Sequence, residues 1–168
     1  MSTRFVPSGA PAAPRMVSAV YDSNILVSAF LSRDNPGGLS NELLRYARQR
    51  LVNLYLSPEI IAETFATLVG STRARRRYRY TAAMASEFCD NLFAAANIVV
   101  DPPPAPGAVP RDPDDDKIVA CAVAADAEYI VTRDQDLLSV GSYAGIDILA
   151  PEQFLHLLRR EFGRLPVA

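Results

Sequence analysis

The chain is predicted to fold as an α/β domain, with a mostly parallel sheet covered by helices on both faces. Three observations predict it. Short apolar runs of strand length alternate with amphipathic stretches of helix length. The first of these runs, Met16 to Tyr21, is mostly apolar, as a strand buried on both faces should be. Finally, 168 residues, 49% of them apolar, suit one packed domain and not a disordered chain.

The elements follow in order. After the first strand, Ser23 to Leu31 reads as a helix. Pro36, Gly37 and Gly38 interrupt the chain, and Leu39 to Arg50 forms a second helix with Leu43, Leu44 and Ala47 inward. Asn53 to Leu56 is a strand. Ser57-Pro58 then opens a helix, as an N-cap followed by proline in the first turn. That helix runs to about Val69, with Ile61, Phe65, Leu68 and Val69 as its apolar stripe.

A basic stretch follows, and Thr81 caps a helix through about Phe93. Ile98 to Val100 is a strand. The proline-rich segment from Asp101 to Pro113 is a surface connection, and Asp112-Pro113 begins a helix running to about Ala125. Tyr129 to Thr132 is a strand, Asp134 to Leu138 a short helix, Asp147 to Leu149 a last strand. A final helix from Pro151 buries Phe154, Leu155, Leu158 and Phe162. Residues 1–15 read as a flexible N-terminal extension, with Met16 an alternative start, 16–162 as the domain, and 163–168 as a tail.

Composition removes several classes of chemistry. The single histidine, His156, lies on the last helix, so Ser-His-Asp and Cys-His mechanisms find little support. Cys89 and Cys121 form no CxxC pair and read as buried thiols of a reducing compartment. No run approaches the ~20 apolar residues of a membrane span. The net charge of −2 gives no global attraction to nucleic acid. No GxGxxG follows the first strand, and Asn24 stands where an aspartyl phosphotransfer enzyme would carry a second acid.

What remains is a set of carboxylates. Asp22 and Asp134 fall at the carboxyl ends of strands, where open parallel sheets bind ligands, although each also suits a helix cap. Glu63 lies off the apolar stripe of its helix, facing either solvent or a cleft. In the acidic run Asp112, Asp114, Asp115, Asp116, first-turn capping explains Asp112 and Asp114. Asp116 lies over Ala120 and Val123, an apolar face, and there needs a partner. Converging carboxylates repel one another and stay ionised only around a cation; all-oxygen ligands suit Mg²⁺ or Mn²⁺ and not zinc.

Four segments together resemble the PIN domain, in particular the VapC-type toxins of bacterial toxin–antitoxin pairs. They are Asp22-Ser23-Asn24-Ile25-Leu26, Ser57-Pro58 with Glu63, Asp116-Lys117-Ile118-Val119-Ala120, and Ile130-Val131-Thr132-Arg133-Asp134. The resemblance spans roughly Val17 to Leu158 and implies a three-layer α/β/α fold. It implies a cytoplasmic ribonuclease, dimeric and inhibited by a cognate antitoxin protein. It also implies that Asp22, Glu63, Asp116 and Asp134 surround Mg²⁺ or Mn²⁺. Asp22 and Asp116 are then the direct ligands, with Asp115 the alternative to Asp116. Asn24 and Thr132 brace the acids, and Asp136 assists through water. A PIN-like scaffold that binds RNA or protein without cutting is the other reading.

Arg73, Arg75, Arg76, Arg77 and Arg79, with Tyr78 and Tyr80, form a concentrated basic patch. It suits RNA contact, an acidic partner protein, or a solvated helix or loop.

Overall fold

The computed structural model describes residues 15–166. The expected N-terminal extension, Arg15 excepted, and the last two residues of the expected tail lie outside the described residues. Along the chain run β1 (Val17–Tyr21), α1 (Ser23–Leu31), α2 (Leu39–Arg48), β2 (Val52–Leu56), α3 (Pro58–Gly70), α4 (Thr72–Tyr78), α5 (Ala82–Ala95) and β3 (Asn97–Ile98). A 3₁₀ turn (Pro113–Asp115) leads into α6 (Asp116–Ala124), β4 (Tyr129–Val131), α7 (Gln135–Val140), β5 (Ser142–Tyr143), β6 (Ile146–Leu149) and α8 (Pro151–Phe162).

The strands form one sheet in the order β3-β2-β1-β4-β6-β5. Every neighbouring pair is parallel except β5 with β6. Helices pack on both faces, giving the three-layer α/β/α arrangement. α2 packs against α1 and α8, while α3 packs against α1, α5 and α6. The core runs between the layers, with Tyr21, Leu26, Leu54, Ile118, Ile130 and Phe154 fully buried. Polar atoms of large core residues find partners there: the Tyr21 hydroxyl donates to the Leu43 carbonyl at 3.1 Å. Across the helical layer, Arg159 makes two hydrogen bonds, at 3.1 and 2.7 Å, to the buried carboxylate of Glu42.

Local chemistry explains the element boundaries. Asp22 has extended backbone and accepts from the Ser23 amide, so the residue that ends β1 also caps α1. Ser57 accepts from Ile60, and Pro58 follows in the first turn of α3. Ser71 and Thr81 cap α4 and α5 in the same way.

Three expectations change, and the basic stretch, left open between helix and loop, is a helix, α4. It is fixed at its far end by Tyr80, whose ring meets Phe30 edge-on at 4.9 Å and whose hydroxyl donates to the Leu68 carbonyl. β3 occupies Asn97–Ile98 and not Ile98 to Val100. The helix expected from Asp112-Pro113 starts as a 3₁₀ turn and becomes α-helical only at Asp116. Phe65 is 36% exposed, because α3 turns Ile60, Ile61, Thr64 and Leu68 inward. A further strand, β5, joins the sheet edge.

Candidate metal centre

β1 and β4 lie side by side at the centre of the sheet, so the residues that follow them emerge together at one end. Asp22 follows β1, and Thr132 and Asp134 follow β4. Asp22 is 4% exposed and enclosed by donors. One oxygen, Oδ1, accepts from the Ser23 amide at 2.7 Å. The other, Oδ2, accepts from Thr132 Oγ1 at 2.7 Å and from Asn24 Nδ2 at 3.2 Å. Burial pushes the Asp22 carboxyl above its ordinary range, and the Thr132 and Ser23 hydrogen bonds work against that shift.

The bracing continues outward. Thr132 Oγ1 accepts from the Asp134 amide at 3.0 Å, and Asn24 Oδ1 accepts from the Arg133 amide at 3.3 Å. Asp134 caps α7 by accepting from the Asp136 amide at 2.8 Å through Oδ1. Asp136 thus meets the cluster through its backbone; its half-buried side chain borders a separate cavity with Arg111 and Tyr143.

The 3₁₀ turn brings a third chain segment to this place. Carboxylate oxygens of Asp112, Asp115 and Asp134 lie within 4.8 Å of one another. Asp115 Oδ2 is buried without a hydrogen-bond partner. Burial, joined by the charges of Asp134, Asp22 and Asp112, pushes the Asp115 carboxyl up to about 7.

Asp116, one residue on, turns elsewhere. Its Oδ1 accepts from the Val109 amide at 2.7 Å and its Oδ2 from the Gly107 amide at 3.0 Å, tying down the proline-rich loop. Glu63 of α3 is half-buried and pairs with Lys117 Nζ at 3.0 Å, while its charge still reaches Asp22. Of the four acids singled out in the sequence, Asp22, Asp134 and Glu63 therefore feel one common field, and Asp116 is engaged by the loop. Sequence reasoning passed over Asp112 as a cap. It does cap the 3₁₀ turn, accepting from the Asp114 amide at 3.2 Å, yet it also belongs to the cluster.

These residues fit a hard divalent cation. The donors are all carboxylate oxygens, one buried oxygen has no partner, and a cation would relieve both the burial of charge and the repulsion among the acids that raise Asp115. The thiols do not compete for it: Cys89 and Cys121 are free and buried, and burial pushes them up to about 11 and about 12. His156 is exposed on α8.

A parallel sheet with acids gathered at the carboxyl end of its central strands defines a class of acidic-site α/β proteins, and comparison specifies the family. The PIN domain family profile matches residues 18–136. The chain belongs to the PIN domain family. No curated protein matches it. Among solved structures, it is similar to PAE2754 from Pyrobaculum aerophilum, at 20% identity over 86% of this chain and 90% of that one, with a TM-score of 0.55. It is also similar to VapBC2 from Rickettsia felis, solved bound to a DNA fragment from its promoter. There the identity is 14%, over 80% of this chain and 98% of that one, with a TM-score of 0.50. At these identities the likeness is one of fold.

Proposed function

We propose that the chain is a divalent-metal-dependent endoribonuclease, the toxin of a toxin–antitoxin pair. The observation that carries this reading is the convergence of Asp112, Asp115 and Asp134 beside the braced Asp22, with the buried Asp115 Oδ2 left without a partner. In this reading Asp22, Asp115 and Asp134 hold Mg²⁺ or Mn²⁺, Asp115 in the place the sequence assigned to Asp116. Asp112 and Glu63 add negative charge around them. The bound cation supplies an activated water and neutralises charge on the phosphodiester. Thr132 and Asn24 hold the Asp22 carboxylate in place by hydrogen bonds, and the Asp136 amide does the same for Asp134.

The partner protein belongs to the same reading, and VapBC2 among the similar structures supports it. So does self-association, for which Phe65 and Phe93 leave apolar surface on α3 and α5. A cytoplasmic location accompanies it; no helix among the described residues is long and apolar enough to cross a membrane.

Cleavage of a structured RNA by the purified chain tests the proposal. Activity should vanish in EDTA and return with Mn²⁺. Asp22→Asn and Asp115→Asn should each lower the rate at least about a hundredfold while circular dichroism shows the chain still folded. Undiminished cleavage by the double variant would sink it. Absence of any heat on Mn²⁺ titration, with no cleavage, would favour the silent RNA- or protein-binding scaffold instead.

A further inference from the structure

Of the 17 lysine and arginine residues in the chain, Lys117 is the only lysine. It stands where local chemistry disfavours a cation. As the second residue of α6 it lies in the first turn, where free amides and the helix dipole favour negative charge. Its Nζ is 3.0 Å from Glu63 Oε2 on α3, and the two side chains are 34% and 40% exposed. A pair so open to water adds little to stability. Neither helix formation nor stability explains a positive charge here, and a residue that breaks a local rule without such a gain points to function.

The acids around the pair supply the reason. Among the described residues, Glu63 alone of the site's acids has a basic partner; the other ion pairs join Arg15 to Glu128, Arg133 to Glu152 and Arg159 to Glu42. The charge of Glu63 acts on Asp22, yet Glu63 is not among the acids whose oxygens lie within 4.8 Å of one another, Asp112, Asp115 and Asp134. The site thus divides. One part is a three-acid group with an unpartnered oxygen; the other is Glu63, already met by an ammonium. Lysine is the apt residue for that second place. A guanidinium is a flat fork, and Arg159 grips both oxygens of Glu42 in that way. An ammonium is a compact point charge, closer in form to a hard metal ion.

We propose that Lys117 is the resident cation of the Glu63 side of the site. Its ammonium takes the place of a second divalent ion on Glu63, so the chain holds one such ion and not two. The inference rests on the metal reading above and deepens it to the number of ions. Two-ion sites place a cation at each side of the reacting phosphate; here the chain supplies the charge on one side itself. Lys117 acts through Glu63 and is a positioning residue. Without its ammonium, Glu63 is free to join Asp22 in holding a second ion.

Counting bound Mn²⁺ tests this, with the electron paramagnetic resonance of the free ion as the readout and no RNA present. The native chain should bind one ion, and Lys117→Met two. Lys117→Met/Glu63→Gln should bind one again, and Lys117→Arg, which keeps the charge, one. Arg133→Met removes a positive charge next to Asp134 in sequence whose partner is Glu152, and should also bind one. Since Lys117 is the only lysine, acetylating the native chain alters one side-chain amine besides the α-amino group; that chain should bind two ions. The acetylated chain carries the test if circular dichroism shows Lys117→Met unfolded. Two ions on the native chain, or one on both Lys117→Met and the acetylated chain, overturns the proposal and leaves the metal site standing. No ion on the native chain retires the metal reading and this inference with it. The expected counts with no cleavage of RNA retire the ribonuclease reading alone.

Discussion

Asp115 and Asp116 are neighbours in the chain with different surroundings. One carboxylate sits among other acids with a buried oxygen unmatched; the other accepts from two loop amides. Asp116→Ala should therefore act on stability. It removes both acceptors and leaves the amide of the fully buried Val109 unpaired, a cost of about 1–3 kcal/mol in urea denaturation. If Asp116→Ala instead abolishes cleavage while its denaturation midpoint stays native, the assignment of Asp115 to the site is wrong. The sequence made the position of Asp22 legible, because an apolar run ending in an acid marks the carboxyl end of a buried strand. It could not separate the two neighbours. A helical wheel places Asp116 correctly over Ala120, but what meets it there is the backbone of a proline-rich loop whose path no periodicity encodes. Asp115 precedes the α-helix, in a turn of about 120° per residue, where the wheel does not apply.

At the scale of elements, what the sequence hid shares one cause: segments too short or too polar to show a period. α4, with the sequence Thr-Arg-Ala-Arg-Arg-Arg-Tyr, has no apolar stripe; the Ser71 cap and the packing of Ala74 and Tyr78 against Phe30, Leu68 and Tyr80 hold it in place. β5 and β6 form a hairpin around Ala144 and Gly145, both at positive φ, +50° and +81°. Two such residues make the turn that matches the twist of paired strands, and Asn-Gly is its usual signal. Alanine in the first position masks the signal and costs free energy, since its side chain crowds the left-handed conformation. Ala144→Asn should stabilise the fold by about 0.5–1 kcal/mol in chemical denaturation, with no change in cleavage. A destabilised variant would show that the turn does not hold that conformation in solution. The longer elements were readable because each carries an apolar run or stripe together with a cap: β1 with Asp22, α3 with Ser57 and Pro58, α5 with Thr81.

For the whole molecule, the carboxylate cluster makes stability depend on pH in the direction opposite to that of an ordinary ion-paired acid. In the folded chain burial and the neighbouring acids push the Asp115 carboxyl from its ordinary value near 3.8 up to about 7. Between those values the folded state holds a proton that the unfolded state has released, so raising the pH favours unfolding. In EDTA the melting temperature should fall from about pH 5 to about pH 8, and Asp115→Asn or saturating Mn²⁺ should flatten that slope. A melting temperature that rises over this interval in EDTA, with Asp115 intact, would contradict the crowding of acids. The sheet has a consequence of a different kind. Its outer strands, β3 and β5, are two residues long, and the chain leaving β3 soon enters Pro102, Pro103 and Pro104, none of which has an amide hydrogen to offer an incoming strand. Runaway polymerisation by strand addition is thereby discouraged at both rims, and any association of this molecule with another is directed to its helices and loops.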